Sequence, residues 1–177
     1  MKINIAEYLP EHQPHFERLN RAWLEEFFSV EPLDRWVLEH PDEAILNNGG
    51  RIFFAESDGK IIGTVALRWI TPGVLELTKM AVDKNYRGHG AGKALCLHAI
   101  QQARVMNAGR LILYSQTILQ TALHIYRRCG FQEIPLERGV YARADVQMEY
   151  PLLQDVPVRA DVPLENPMVQ AFAASFP

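Results

Sequence analysis

The sequence predicts an α/β domain of the α+β kind: a mixed, twisted central sheet of about seven strands flanked by about four helices. Three observations predict it. Short strands in the first half are separated by turn residues, the pattern of an antiparallel meander. The second half alternates strand-like and helix-like segments, which implies some parallel pairing. A glycine-rich turn at residues 87–92 joins the two patterns.

Lys2 to Leu9 alternates apolar and polar residues through Ile3 and Ile5 and meets Pro10, so it reads as an opening strand. From Glu11 to Phe28, the residues Phe16, Leu19, Ala22, Trp23 and Phe27 recur at spacings of three and four, which predicts an amphipathic helix. A shorter helix follows Pro32 through Leu33, Trp36 and Val37. It should stop before Pro41, because the residue ahead of a proline disfavours the helical region. Asn47-Asn48-Gly49-Gly50 is a breaker. Arg51 to Glu56 is a strand, Ser57-Asp58-Gly59-Lys60 a turn, and Ile61 to Ile70 the returning arm of a hairpin. Thr71-Pro72-Gly73 turns again into a strand from Val74 to Val82.

After the glycine-rich turn a helix runs to about Asn107. Leu95, Ala99, Ala103 and Met106 form its apolar stripe, widened by Cys96 and Ile100, and Ala108-Gly109 should end it. Leu111 to Tyr114 is a short buried strand. A second helix spans about Leu119 to Arg128, with Ala122, Ile125, Tyr126 and Cys129 on one side and Gly130 as its cap. Phe131 opens another strand. Asp145 to Tyr150 is the last alternating run, with Val146, Met148 and Tyr150 on one face. Residues 1–151 make one domain, and 152–177, with four prolines, read as an irregular or docked tail that covers the last strand or joins a homodimer.

Composition excludes several classes. A chain of 177 residues suits one domain and buries a substantial core. A net charge of −3 gives no general reason to expect nucleic acid as a partner. No apolar run approaches a membrane span, and the start Met1-Lys2-Ile3-Asn4-Ile5 lacks a secretory core, so a cytoplasmic location is expected. Cys96 and Cys129 lack Cys-x-x-Cys spacing and read as buried free thiols, with a disulfide or catalytic thiol as the alternatives. No histidine and carboxylate spacing predicts a metal site.

The turn Tyr86-Arg87-Gly88-His89-Gly90-Ala91-Gly92-Lys93 carries the chemistry. A helix start leaves N–H groups without partners, and its dipole end is positive. A phosphate accepts those bonds. Glycines let the backbone approach the oxygens closely, and Arg87 and Lys93 add charge. The Gly-Lys-Ser/Thr ending of a Walker loop is absent. The turn follows an antiparallel meander, which does not fit a dinucleotide fingerprint.

Arg87-Gly88-His89-Gly90-Ala91-Gly92 resembles the Arg/Gln-x-x-Gly-x-Gly/Ala motif of the GNAT acetyltransferases. Leu77 to Val82 is similar to that family's fourth strand. Ala122-x-x-x-Tyr126-x-x-x-Gly130-Phe131 resembles its second signature, in the expected order and at the expected distance. The resemblance covers about residues 1–151. It implies a sheet splayed between the fourth and fifth strands, with acetyl-CoA entering the gap. Met80, Ala81 and Val82 would then bond the pantetheine arm. Arg87, Gly88, His89, Gly90, Ala91, Gly92 and Lys93 would hold the pyrophosphate. Gln116 stands where the family often has an asparagine that contacts the arm, and its side chain is longer.

Acetyl transfer to an amine needs a base, an oxyanion donor and an acid for the thiolate. The resemblance places the oxyanion donor on the backbone near Ala81. It implies Glu76 as the base and Tyr126 as the acid. Their alternatives are a solvated strand carboxylate and a packed tyrosine with a satisfied hydroxyl. Period-two alternation puts Glu76, Thr78 and Met80 on one face, with Leu75 and Leu77 on the other. His89 reads as a solvated loop residue or a phosphate partner. His98 and His124 face solvent or pack. Arg127 and Arg128 read as a solvated face, or as partners for the 3′-phosphate or an acidic acceptor.

By the same resemblance, the first two helices and the loop from Glu133 to Arg143 line the acceptor side. There Trp23, Phe27 and Phe28 suggest a partly apolar pocket, and Glu25, Glu26 and Glu31 suggest attraction of a cationic amine. The implied function is transfer of acetyl from acetyl-CoA to a primary amine of a small molecule, by direct attack in a ternary complex. The alternatives are acetylation of a protein lysine or N-terminus, and a non-catalytic acyl-CoA-binding module.

Overall fold

A computed structural model describes residues 1–137 and 143–152. Strand β1 (Asn4–Glu7) is shorter than the Lys2–Leu9 alternation predicts, because it is an edge strand and its pairing runs only from Asn4↔Glu56 to Glu7↔Phe53. A 3-10 turn at Pro10–His12 leads into α1 (Gln13–Phe27). The buried stripe of α1 is Phe16, Leu19, Asn20 and Leu24, while Ala22 and Phe27, expected in it, are exposed. Asn20 sits in the stripe because its amide donates to the Phe16 carbonyl at 2.9 Å. Helix α2 (Pro32–Glu39) stops ahead of Pro41 as expected. A single π-helical turn at Asp42–Leu46, which has no sequence signature of its own here, then buries Ala44 and Ile45.

Strands β2 (Arg51–Ser57) and β3 (Lys60–Thr71) form the expected hairpin. Asp58 and Gly59 both take positive φ, the conformation that matches a two-residue turn to the twist of its strands. Strand β4 (Val74–Val82) returns antiparallel to β3. Helix α3 (Ala91–Val105) follows the glycine turn. It ends at Asn107, whose left-handed φ of 56° allows Ala108 N–H to reach the Ala103 carbonyl, so asparagine takes the terminating role expected of Gly109. Then come β5 (Arg110–Ser115), α4 (Gln120–Cys129), β6 (Gln132–Ile134) and β7 (Val146–Pro151). The seven strands lie in the order β1-β2-β3-β4-β5-β7-β6, and β4–β5 is the parallel pair. The docking or dimer role expected of the tail 152–177 falls, beyond Leu152, outside the described residues, as do residues 138–142.

Two cores sandwich the sheet. Along β2, Phe53 and Ala55 join the core of α3 and α4, and Ile52 and Phe54 join that of α1 and α2, as a period of two requires. The predicted stripes of α3 and α4 are those that pack in the first core, together with Val146, Met148 and Tyr150. Cys96 of α3 and Cys129 of α4 are free buried thiols there.

Strand β4 breaks its alternation. Pairing slips between Thr64↔Ala81 and Ala66↔Thr78, so Val65 opposes both Lys79 and Met80, a β-bulge with Lys79 at φ 50°. The expected grouping of Met80 with Glu76 is therefore corrected. Met80 and Val82 pack toward the Leu75 and Leu77 core. Lys79 turns to α2, where its Nζ reaches Asp34 Oδ1 at 3.0 Å. Arg143 Nη2 reaches the same oxygen at 2.8 Å. Burial pushes the Asp34 carboxyl up, and the bonds from Arg143 and Lys79 more than reverse this, leaving it below the usual range.

Two outcomes follow from this packing. Gly130 has φ 104°, and a Cβ there would stand 2.9 Å from the Tyr150 ring. Gly130→Ala should lose about 1–2 kcal/mol or more, read as a lower Tm in thermal unfolding. Asp34→Asn should cost about 3 kcal/mol at neutral pH, since it strips two cations of a buried partner. A carboxylate with a depressed folded pKa stabilises above its unfolded pKa, and that stability is lost as pH falls through the folded value. The Tm gap between wild type and Asp34→Asn should therefore be full at neutral pH and shrink as pH drops below about 4. A gap that is constant with pH would contradict the ionic role.

Candidate active site

Strands β4 and β5 pair for only three residues, from Val74↔Arg110 to Glu76↔Ile112. Past that point β5 continues against β7, and the strands part. A cavity of about 130 Å³ lies in the gap. Its walls are Glu76 to Met80 of β4, Tyr114 to Gln116, Tyr126 of α4, Trp23 and Phe28 at the end of α1, and Arg143. A larger cavity of about 440 Å³ runs over the glycine turn, between the start of α3 and the first turns of α4. The two share Trp23, Met80, Leu119 and Ala122 as a common wall.

The turn itself has the conformation that a phosphate cradle needs. Gly88 and Gly90 have φ of 80° and 90°, and a Cβ at either would meet nothing within 4 Å, so backbone conformation demands glycine there. Gly92 is different. Its Cβ would stand 3.1 Å from Ile125 Cδ1, so its smallness lets α3 approach α4. Arg87, Gly88, Gly90, Ala91, Gly92 and Lys93 all line the larger cavity. The first-turn N–H groups of α3 have no partner within the helix, and they sit at the positive end of its dipole. An anionic group is the chemistry that such a wall accepts.

Charge at the turn is directed in an unexpected way. The Arg87 guanidinium makes two bonds to the Glu26 carboxylate, at 2.7 and 2.6 Å, and its Nε donates to the Val82 carbonyl at 3.2 Å. It also lies 5.9 Å from the centre of the Phe27 ring. The Glu26 bonds hold the Arg87 pKa up and the Glu26 carboxyl down. Arg87 thus fastens α1 to the turn, and among the described residues Lys93 is the other cation that lines the larger cavity. His89 is exposed, with Nδ1 2.9 Å from the Arg87 carbonyl, outside the cavity lining.

Glu76 and Tyr126 are brought to the same cavity from different elements. Glu76 is buried, at 2% exposure, and is not the solvated strand carboxylate of the alternative reading. Its partner is Arg68, directly across on β3, at 2.6 Å. Tyr126 is buried, packed edge-on against Phe131. Burial, helped by the neighbouring Cys96 and Cys129 sulfurs, pushes its pKa well above the ordinary tyrosine value. It therefore keeps its proton at neutral pH. Ala81 is buried opposite Thr64 and lines neither cavity, while Met80 lines both. Gln116 lines the smaller cavity, and its amide donates to the Arg143 carbonyl.

The charges around the smaller cavity have partners of their own. Of the acids at the end of α1 and beyond, Glu26 is committed to Arg87 and Glu31 lies 3.6 Å from Arg143. Lys79 and Arg143 line the smaller cavity themselves. No motif in the sequence marks these two, or Asp34 and Arg68, as site residues. The available signal was Lys79, a lone cation within an otherwise uncharged Leu77 to Val82 strand. His98 packs on Phe53 at 4.6 Å, and burial lowers its pKa. His124 is exposed, and Arg127 pairs with Glu133.

The model of the acetyltransferase (GNAT) family matches residues 14–131. The N-acetylaspartate synthetase of Xenopus tropicalis is 32% identical over 87 residues, which cover 49% of this chain but only 32% of that relative's length. Among solved structures, a GNAT-family acetyltransferase from Staphylococcus aureus Mu50 superposes with a TM-score of 0.76 at 24% identity, covering 86% of this chain and all of that one. An acetyltransferase from Bacillus subtilis in complex with CoA gives 0.63 at 21%, covering 86% and 99%. With the family model spanning two thirds of the chain, and with the splayed β4–β5 pair and glycine turn in place, the protein belongs to the GNAT family of acetyltransferases.

Proposed function

We propose that this chain transfers an acetyl group from acetyl-CoA to the primary amine of a small molecule, by direct attack in a ternary complex. The observation that carries the reading is the wall shared by the two cavities at Met80, Trp23, Leu119 and Ala122. One cavity has the lining of a phosphate cradle, and the other holds a carboxylate and a protonated phenol. Two substrates can thus meet at one point without either passing through the other's cavity.

The N–H groups at the start of α3, with Lys93, would take the pyrophosphate. The edge of β4 at Met80–Val82, which β5 leaves unpaired, offers backbone groups to the pantetheine arm. Acetyl-CoA supplies the acetyl thioester. In the smaller cavity the Glu76 carboxylate takes the proton that the amine loses as its nitrogen bonds the acetyl carbon, directly or through a water. Arg68 fixes that carboxylate in place. A backbone N–H of the bulged stretch near Met80 and Ala81 steadies the carbonyl oxygen. Tyr126, protonated at neutral pH, gives its proton to the departing sulfur as negative charge builds there. A cavity of about 130 Å³ suits a small acceptor, and a relative named N-acetylaspartate synthetase accords with that.

Acetyl-CoA at a hundredfold over its Kd should raise the Tm by about 5–10 °C, measured by calorimetry or dye binding. An unchanged Tm at saturating cofactor would sink the reading. Tyr126→Phe should lower kcat by about a hundredfold while leaving acetyl-CoA affinity within a few-fold. Turnover equal to wild type would remove the acid role.

A further inference from the structure

We propose that Cys96 and Cys129 form a reversible redox site, in which an oxidant joins them as a disulfide that ties α3 to α4 and weakens acetyl-CoA binding. The bond between the sulfurs stands apart from the acetyltransferase reading, and its effect on the cofactor rests on that reading.

Register carries the first part. The chain has two cysteines, one on each helix, and neither takes part in the proposed acetyl transfer. Strands β4 and β5 are parallel, and β5 and β6 both pair antiparallel to β7, so α3 and α4 return along the sheet in the same direction. They come close at Gly92, where a Cβ would stand 3.1 Å from Ile125 Cδ1. Four residues further along each helix, on the same face, stand Cys96 and Cys129. Both are buried in the core that the two helices share, at 0% and 8% exposure. Their chemistry is unequal. The Cys96 thiol, and then the Lys93 ammonium, bring the Cys129 thiol below the ordinary cysteine value, against the effect of burial. The Cys129 sulfur and burial push the Cys96 thiol up. Cys129 is thus the nucleophile, and Cys96 is the thiol that resolves it.

Hydrogen peroxide is an oxidant small enough to reach a thiol at the rim of a core. The Cys129 thiolate attacks one peroxide oxygen. An S–O bond forms, the O–O bond breaks, and the departing hydroxide takes up a proton. Cys129 is then a sulfenic acid, oxidised by two electrons, and the peroxide is reduced. The Cys96 sulfur attacks the Cys129 sulfur, an S–S bond forms and the S–O bond breaks, and the Cys96 proton leaves with the hydroxide as water. In sum, two thiols and one peroxide give one disulfide and two waters. Joined sulfurs stand about 2.05 Å apart, well inside the contact distance of two thiols. The helices are already closed at Gly92, so α3 and α4 themselves must take up the shortening. The first turn of α3 walls the larger cavity beside the glycine turn, and α4 carries Tyr126 three residues ahead of Cys129. The disulfide therefore displaces the donor side of the site from within.

The test treats the full chain with hydrogen peroxide. The expected product is a single chain lighter by two hydrogens, with the Cys96 and Cys129 peptides joined in a non-reducing digest and released by dithiothreitol. Acetyl-CoA affinity, read by calorimetry, should be at least about fivefold weaker for the linked chain and should return on reduction. The effect is reciprocal. In a glutathione buffer that leaves half of the unliganded chain linked, saturating acetyl-CoA should shift the ratio toward the thiols by the same factor. Cys96→Ala and Cys129→Ala should each bind acetyl-CoA as the reduced chain does, and peroxide should leave that affinity within about twofold. Cys129→Ala lies at the rim of the core and serves should Cys96→Ala fail to fold. The proposal is overturned if the folded chain gives no link between Cys96 and Cys129, if Cys129 stops at a sulfinic acid or joins two chains, or if the linked chain binds acetyl-CoA as the reduced chain does. Failure of the reduced chain to bind acetyl-CoA defeats the donor reading and the cofactor half of the proposal, whereas a link without effect on acetyl-CoA defeats the proposal alone.

Discussion

Strand β4 is bonded to β3 along most of its length but to β5 for only three residues. Backbone N–H and C=O groups inside a fold need partners. Among the described residues, the stretch from Leu77 to Val82 has no strand paired with it on the β5 side, which is unusual because central strands are normally paired on both sides. The smaller cavity occupies the gap this leaves, and the larger one continues from it past Met80 to the glycine turn. The cavity is a consequence of the parting of two strands.

The bulge at Lys79 belongs to the same arrangement. It adds a residue to β4 within the open stretch, turns a lysine onto Asp34 of α2, and sends Met80 to the wall shared by both cavities. Asp34 in turn fixes Arg143, which brings the segment just ahead of β7 against α2. On the opposite side Arg87 grips Glu26, which binds the end of α1 to the glycine turn. Helices α1 and α2 pack on the sheet through their own apolar core and are tied to the site by ion pairs as well, whereas α3 and α4 are held by apolar packing. The difference has a physical basis. Apolar burial is non-directional and fixes where a helix lies. A two-pronged guanidinium contact fixes the orientation of a few atoms.

Much of this could be read in advance, and the legible parts share a property. The hairpin turn at Asp58-Gly59, the stripes of α3 and α4, the Gly130 cap and the phosphate-cradle turn each depend on residues within about a dozen positions of one another. Their geometry is local, so spacing and residue type suffice. The stripe of α1 was only partly legible, because its end is decided by the two cavities and not by one core. Trp23 faces the cavities, Phe27 lies under Arg87, and Asn20 is buried with its amide satisfied. The grouping of Met80 with Glu76 assumed an unbroken strand, and no residue in Leu77 to Val82 announces a bulge.

The chain's own order of residues was enough for the donor side. A glycine turn between a strand and a helix, followed by the Tyr126 helix, specifies its chemistry through backbone N–H groups, and backbone geometry follows from local glycine placement. The charge arrangement across from it is visible only in three dimensions. Lys79, Asp34 and Arg143 are separated by as many as 109 positions and meet at one carboxylate oxygen. Whether an acid such as Glu26 faces a substrate or an arginine depends on which partner the fold brings within bonding distance, and charges carry no sequence spacing that reveals their partner.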